Sequence, residues 1–197
     1  MKKIILPLIG SMLFAGSLDN VMIDLNNHNY TKAIDTLNKQ PETKRVDFLL
    51  GKAYYERHFT YSDYKLAMKY LKKANNRQSF YYIGKIYQNG LGVKQDINKA
   101  IEYFKKANTA SAKYELAKLY LEGKYVLKNP KLSVKLLKEA AKSGNSDAQF
   151  LLGKIYLEGN IVQKDLTKAA KWLYMSSHNG NLKAKSLWNK YKLYNYL

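Results

Sequence analysis

The sequence predicts an all-α protein, an α-solenoid of stacked antiparallel helix pairs, and three observations support this fold class. Marker positions recur every 33 or 36 residues, each directly after an apolar residue: Gly51, Gly84, Ala117, Gly153 and Asn189. Two separate helical patterns follow one another within each period. The second pattern has its own column of small residues: Ala67, Ala100, Ser133 and Ala169. A period of about 34 residues with two helical patterns indicates stacked helix pairs, in which neighbouring repeats supply the core.

The first helix of each repeat is predicted to pack through one face. At about 100° per residue, the mostly apolar positions around each marker lie within about a third of a turn. We expect the small marker residue to lie on the flank of that face and to let the second helix approach closely. The small residues of the second helix do the same from the other side.

The two helices of a repeat are predicted to be joined by a tight turn and a capping residue. The segments 89–92 and 158–160 supply residues that can adopt positive φ. Side chains that can accept a hydrogen bond from the first turn of a helix follow twelve positions after four markers: Asp63, Asp96, Asn129 and Asp165. We therefore expect these residues to cap the second helices.

At these residues the chain resembles a known family. The segment 147–156, followed by Gly159, Asp165 and Trp172, resembles a Sel-one-like repeat (SLR), which is a relative of the tetratricopeptide repeat (TPR). The segment 83–93, followed by Asp96 and Ala100, matches the pattern more fully. The resemblance implies a TPR-like scaffold for protein–protein interaction, of a type found in many bacterial envelopes, and it implies neither an enzyme nor a named partner.

The resemblance extends over about residues 42–197. Residues 42–181 are predicted to form four Sel-one-like repeats, and residues 18–41 are predicted to form a degenerate N-terminal helix pair. Residues 182–197 read as a C-terminal capping helix that has no second helix to cover it. In that helix we expect Trp188 and Tyr191 to close the core while the remaining apolar residues lie on the surface. The alternative is an exposed docking patch for a partner or a second copy of the chain.

Residues 1–17 are predicted to be an export signal peptide. Lys2 and Lys3 form a basic start, an apolar stretch from Ile4 to Phe14 is too short to span a bilayer, and Ala15–Ser17 offers small residues for cleavage. The run also resembles a lipobox, but residue 17 is serine and only cysteine can be lipidated. Either the protein is released free into the periplasm, or Ser17 replaces a native cysteine and the protein derives from a lipoprotein. No second apolar stretch predicts a transmembrane span.

The formal net charge of +19 has two explanations. Either the chain binds an acidic partner, or an AT-rich genome encodes many lysines at solvent-exposed helix positions. The residue after every marker is lysine, and these five residues are here called the lysine column: Lys52, Lys85, Lys118, Lys154 and Lys190. The column is expected to point outward from the first helices, which usually line the concave side of a solenoid. It is one candidate partner-binding surface.

An aromatic residue precedes most of these lysines by about one turn, as Tyr81 and Tyr114 show. Aromatic rings beside basic side chains are able to stack on a ligand. The alternative is that they pack against the adjacent repeat. The export signal disfavours nucleic acid as a partner, although basic charge binds it nonspecifically at low salt.

The sequence offers no constellation of catalytic groups and predicts no cofactor. The chain has no cysteine, which excludes disulfides, thiol catalysis and cysteine metal sites. His28, His58 and His178 fall in separate connecting segments, so neither a metal site nor a catalytic triad is expected.

The sequence therefore predicts a non-enzymatic, exported scaffold of a bacterium that binds another protein through its concave face. We expect that protein to be acidic. One form of this hypothesis is an immunity protein that neutralises a secreted toxin or effector. The alternatives are a structural adaptor of an envelope assembly, and a protein that binds anionic polymer or lipid headgroups through the lysine column.

Overall fold

The computed structural model describes residues 17–57 and 60–197, and the regular structure in these ranges is helical throughout. The first helix, α1, covers residues 17–26 in the described part. The following elements are α2 (Tyr30–Leu37), α3 (Lys44–Arg57), α4 (Tyr61–Ala74), α5 (Arg77–Asn89), α6 (Ile97–Ala107), α7 (Ala110–Glu122), α8 (Pro130–Lys142), α9 (Ser146–Glu158), α10 (Leu166–His178), α11 (Leu182–Lys190) and a 3₁₀ turn (Leu193–Tyr196). The predicted all-α fold of paired helices is confirmed. The predicted export signal lies outside the described residues, apart from Ser17.

The chain divides into two compact units, the first reaching to Tyr103 and the second running from Phe104 to Leu197. In the first unit, α1, α2 and α3 share a core that includes Leu18, Val21, Leu37 and Leu49. The pair α1 and α2 lies where the sequence predicts a degenerate helix pair. A second cluster joins α4 to α5 through Leu71, Ile83 and Ile86.

The second unit contains a large core cluster. It is built from the inner faces of α7 to α11, with Leu137, Leu152 and Leu173 fully buried. Each helix contributes side chains at intervals of three or four residues, which is the spacing that places them on one face. The helices of this unit therefore have their apolar faces covered by their neighbours, and their polar faces remain in solvent.

The marker glycines mark close contacts between the two helices of a repeat, as the sequence predicts. A Cβ atom on Gly51 would lie 2.7 Å from Leu71 Cγ, and one on Gly153 would lie 2.7 Å from Leu173 Cγ. At the marker Ala117 a polar contact joins the helices instead, because the Ser133 hydroxyl donates a hydrogen bond of 2.7 Å to the Ala117 carbonyl oxygen. The small residues of both columns thus let two backbones approach.

The capping prediction is confirmed at three of its four positions. The side chains of Asp96, Asn129 and Asp165 each accept a hydrogen bond from the backbone N–H three residues later. The prediction is wrong at Asp63, because Thr60 is the N-cap of α4. Asp63 lies three residues further on and accepts a hydrogen bond from the Thr60 N–H, while the Thr60 hydroxyl oxygen accepts one from the Asp63 N–H. This reciprocal arrangement is a capping box.

The C-terminal segment differs from the single capping helix predicted over 182–197. The α-helix ends at Lys190, and Lys192 adopts a left-handed conformation with φ 48°. The chain then makes the 3₁₀ turn, which places Leu193 in the core with no exposed surface. Tyr191, which was expected to close the core, is 47% exposed. Because the chain reverses direction at Lys192, Leu193 closes the core and Tyr191 lies on the surface.

Asp47 is a buried carboxylate in the first turn of α3, and none of the described basic groups forms an ion pair with it. Burial raises the pKa of its carboxyl, Glu42 raises it further, and Lys73 opposes both. The position near a helix N-terminus favours negative charge, but burial is the larger effect. Ionised Asp47 therefore opposes folding.

We expect Asp47→Asn to stabilise the protein at about pH 7 and to lose this advantage in acid. A raised folded-state pKa means that stability is greatest at low pH and falls as pH rises from the ordinary aspartate pKa through the folded value. Thermal unfolding followed by circular dichroism at several pH values measures this. The control is Asp35→Asn at an exposed position of α2. Equal effects of the two substitutions, or a gain in acid as large as at neutral pH, would contradict the prediction.

Candidate functional site

The lysine column contributes one residue to each of α3, α5, α7, α9 and α11. Three of its members are paired with glutamates of their own helices. The Lys52 Nζ lies 3.8 Å from the Glu56 carboxylate, the Lys118 Nζ 3.1 Å from that of Glu115, and the Lys154 Nζ 3.5 Å from that of Glu158. The positive charge of these three lysines is therefore largely compensated.

The remaining members differ in exposure. Lys85 is half-buried on α5, and Lys190 is exposed with its ammonium 5.5 Å from the centre of the Tyr191 ring.

Lys118 is half-buried, and burial is the largest single influence and lowers its pKa. Glu115, Tyr114 and Glu122 together outweigh burial, so the pKa of Lys118 lies above the ordinary lysine value. Lys118 stays charged, with Glu115 as its counter-ion.

The two tyrosines predicted beside the column make intramolecular contacts. Tyr114 packs against the core of the second unit, and the Lys118 Nζ lies 4.9 Å from its ring centre. Burial raises the pKa of the Tyr114 hydroxyl. Tyr81 is half-buried, with its ring edge-on to Tyr82 at 5.3 Å. Packing between neighbouring side chains accounts for both residues without a ligand.

In the two helix pairs α7–α8 and α9–α10 of the second unit, the positive charge is concentrated on the second helix of each pair. The first helix α7 is balanced, with two lysines and two glutamates, and α9 is slightly acidic, with one lysine and two acidic residues. In contrast, α8 carries four lysines and one glutamate, and α10 carries two lysines and no acidic residue. The last helix, α11, departs from this pattern, with three lysines and no acidic residue. An acidic ligand of this unit would therefore meet more net positive charge on α8 than on the lysine column.

The four lysines of α8 form a stripe along its solvent face: Lys131, Lys135, Lys138 and Lys142, all exposed. Beside the stripe is an open groove of about 800 Å³, to which Pro130, Val134, Ile161 and Val162 contribute apolar surface. We call this the α8 groove. The spacing of the lysines is visible in the sequence, but the approach of residues 161 and 162 from the next repeat is not.

Groups for catalysis or metal binding are not brought together. Within the described ranges, no three histidine or acidic side chains converge to hold a metal ion. His28 Nδ1 lies 2.7 Å from the Tyr30 hydroxyl oxygen, and the His178 ring packs on Tyr174 with centres 3.9 Å apart. His58 lies outside the described residues.

Over the same described ranges, the helices are too short or too polar to cross a lipid bilayer.

Four segments of the chain match the family model of the Sel1 repeat: residues 47–79, 81–109, 110–145 and 146–181. These segments contain the four marker residues Gly51, Gly84, Ala117 and Gly153. Among curated proteins, none matches the chain at a significant level.

Two solved structures resemble this one. The crystal structure of a Sel1 repeat protein from Oxalobacter formigenes aligns with a TM-score of 0.73 and 29% identity, over 87% of this chain and 74% of the other. A protective antigen of uropathogenic Escherichia coli strains that displays an SLR fold aligns with a TM-score of 0.66 and 29% identity. That alignment covers 77% of this chain and 34% of the antigen, so the chain corresponds to about a third of it.

Proposed function

Because the chain belongs to the Sel1 repeat family, whose members are generally non-enzymatic scaffolds for protein–protein interaction, we propose that it binds an acidic protein partner and catalyses no reaction. The observation that carries the proposal is the exposed excess of lysine charge on α8, where four lysines stand against one glutamate. Opposite charge on a partner would speed association and favour that partner over others. The lysine column is the second candidate surface, weakened by its three ion pairs.

We also propose that the protein is exported and acts in the periplasm. The pattern of residues 1–17 supports this, as does the burial of Leu18, Val21 and Leu25 in the first core, because cleavage next to Ser17 would leave the described part of α1 in place. N-terminal sequencing of the protein from a periplasmic extract should find a chain that begins at residue 17 or 18. A full-length chain in the cytoplasmic fraction would contradict export.

Two forms of the partner proposal remain, an immunity protein that caps a secreted toxin and an adaptor in an envelope assembly. They differ in what the partner does when the chain is absent. Deleting the gene should make cells sensitive to a toxin in the first form and should disrupt an assembly in the second. The genes beside this one would indicate which phenotype to measure.

The binding proposal is tested by purifying the tagged mature chain from its source organism and identifying the proteins that accompany it. A genuine partner should form a complex of defined stoichiometry when both purified proteins are mixed. Its Kd should rise when salt is raised from about 0.05 M to about 0.3 M, because salt screens exposed charges. A chain that forms no binary complex with any enriched protein would contradict the proposal.

The net charge of +19 favours a second candidate function, the binding of anionic polymer or lipid headgroups. A polyanion ligand would be bound by charge density alone, so the sites of lysine substitution would matter little. Sedimentation with vesicles that contain phosphatidylglycerol measures lipid binding directly. Stronger binding to these vesicles than to any protein would favour the second candidate over the first.

A further inference from the structure

We propose that the α8 groove is the docking site for an acidic amphipathic segment of a protein partner. This inference rests on the proposed function and deepens it, because it names both the surface and the chemistry of the ligand. The ligand is a helix with carboxylates along one edge and an apolar side chain beside them.

The stripe has the geometry of a linear receptor for carboxylates. At about 100° per residue, the side chains at 131, 135, 138 and 142 lie within an arc of about 60°. At about 1.5 Å per residue, they extend over about 16 Å of the helix. A second helix that carries acidic residues at intervals of three and four would present its carboxylates at matching distances.

The charge of the stripe is only partly compensated within the described chain, which places one carboxylate beside four lysines. The one acidic residue of α8 is Glu139, whose carboxylate lies 2.9 Å from the Nζ of Lys113 on α7. The hydrogen bond from Lys113 is the main cause that lowers the pKa of Glu139, and attraction to Lys135 and Lys142 lowers it further. Among the described carboxylates, none forms an ion pair with a lysine of the stripe. Lys138 differs from the others in that its ammonium lies 6.0 Å from the centre of the Tyr156 ring.

The apolar part of the groove separates it from an ordinary charged surface. Ile161 is 38% exposed in the turn before α10, whereas Val134 is 7% exposed at the base of the stripe. Apolar surface bordered by four lysines, with Glu139 as the one acidic residue of the lining, favours a ligand that combines carboxylates with an aliphatic side chain.

The same recess argues against a lipid surface as the occupant. A flat membrane cannot reach Val134 past the lysines, whereas a side chain of a helix can. The most exposed apolar residue of this unit is Leu127, at 91%, and it is not part of the groove. Leu127 therefore provides a matched control for Ile161, since both lie in the turn between the two helices of a repeat.

The test uses a synthetic helical peptide of about 16 residues, with glutamates spaced to match the stripe and leucine on the adjoining face. A scrambled peptide of the same composition is the reference. Fluorescence anisotropy should show that the mature chain binds the patterned peptide more tightly than the scrambled one. Combined substitution K131Q, K135Q and K142Q should raise the Kd by about tenfold, as expected for the loss of three exposed charge contacts.

The matched control removes the same charge from α4 of the first unit, by K65Q, K69Q and K72Q at exposed positions. This variant should change the Kd by less than about twofold. The contribution of the apolar surface is tested separately. Ile161→Ser should weaken peptide binding by about threefold, while Leu127→Ser should not. All variants are exposed-surface changes, and unchanged melting curves would verify their folding.

Equal weakening by the two triple substitutions would overturn the inference and leave general charge as the explanation. Preference for vesicles that contain phosphatidylglycerol over the patterned peptide would overturn it in favour of a membrane. If an identified partner bound the α8 triple variant with full affinity, the α8 groove would not be its docking site. The proposed scaffold function would still stand. Failure to find any partner protein would contradict the scaffold function, whereas the peptide series still tests the groove.

Discussion

Replacing Gly153 by leucine should lower the free energy of unfolding by about 3 kcal/mol, at the upper end of the usual effect of overpacking a core. The Cβ atom alone would lie 2.7 Å from Leu173 Cγ and 3.2 Å from the Leu173 backbone nitrogen. The side chain of Leu173 is fully buried and cannot rotate away into solvent. The helices α9 and α10 would have to separate, which would loosen the largest core cluster of the second unit.

Urea unfolding followed by circular dichroism measures this change. The control is Lys154→Leu, which adds the same side chain one position later at an exposed site and removes only a surface ion pair of 3.5 Å. That substitution should change stability by less than about 1 kcal/mol. Similar losses for the two variants would refute the role of Gly153 as a point of close approach.

Much of the fold could be predicted because repetition makes the same physical requirement visible several times. A residue such as Gly153 is uninformative alone, but its equivalents at 51 and 84 show that a helix contact needs a small side chain there. The caps at 96, 129 and 165 were predictable for the same reason. The cap of α4 was not, because Thr60 and Asp63 both accept hydrogen bonds and only the geometry decides which begins the helix.

The candidate site was less predictable because charge pairing depends on three-dimensional neighbours. A lysine after each marker predicts a column, yet Glu56 and Glu158 lie four residues after Lys52 and Lys154 and compensate them. That signal was present in the sequence as an i, i+4 pair. The pairing of Glu139 with Lys113 across α7 and α8 was not visible in the sequence, and it leaves the stripe lysines without an ion pair among the described residues.

The C-terminal segment could not be predicted by repeat logic, because no equivalent of the turn at Lys192 occurs in the other repeats. Trp188 does pack against the core of the second unit, as expected. Leu193, rather than Tyr191, is the residue that the turn buries completely. The segment after α11 is therefore part of the core and not a detachable surface tail.

Leu193→Ala should lower the free energy of unfolding by about 2 to 4 kcal/mol, because it removes buried methyl groups and leaves a cavity beside α10 and α11. Deleting residues 193–197 should have at least this effect. The control is Leu197→Ala, at a position that is 68% exposed, which should be nearly neutral. Chemical unfolding of the three variants under the same conditions separates a buried anchor from a surface patch. If the deletion left stability unchanged while partner binding or self-association was lost, the segment would be a docking patch and the burial of Leu193 would be unimportant for stability.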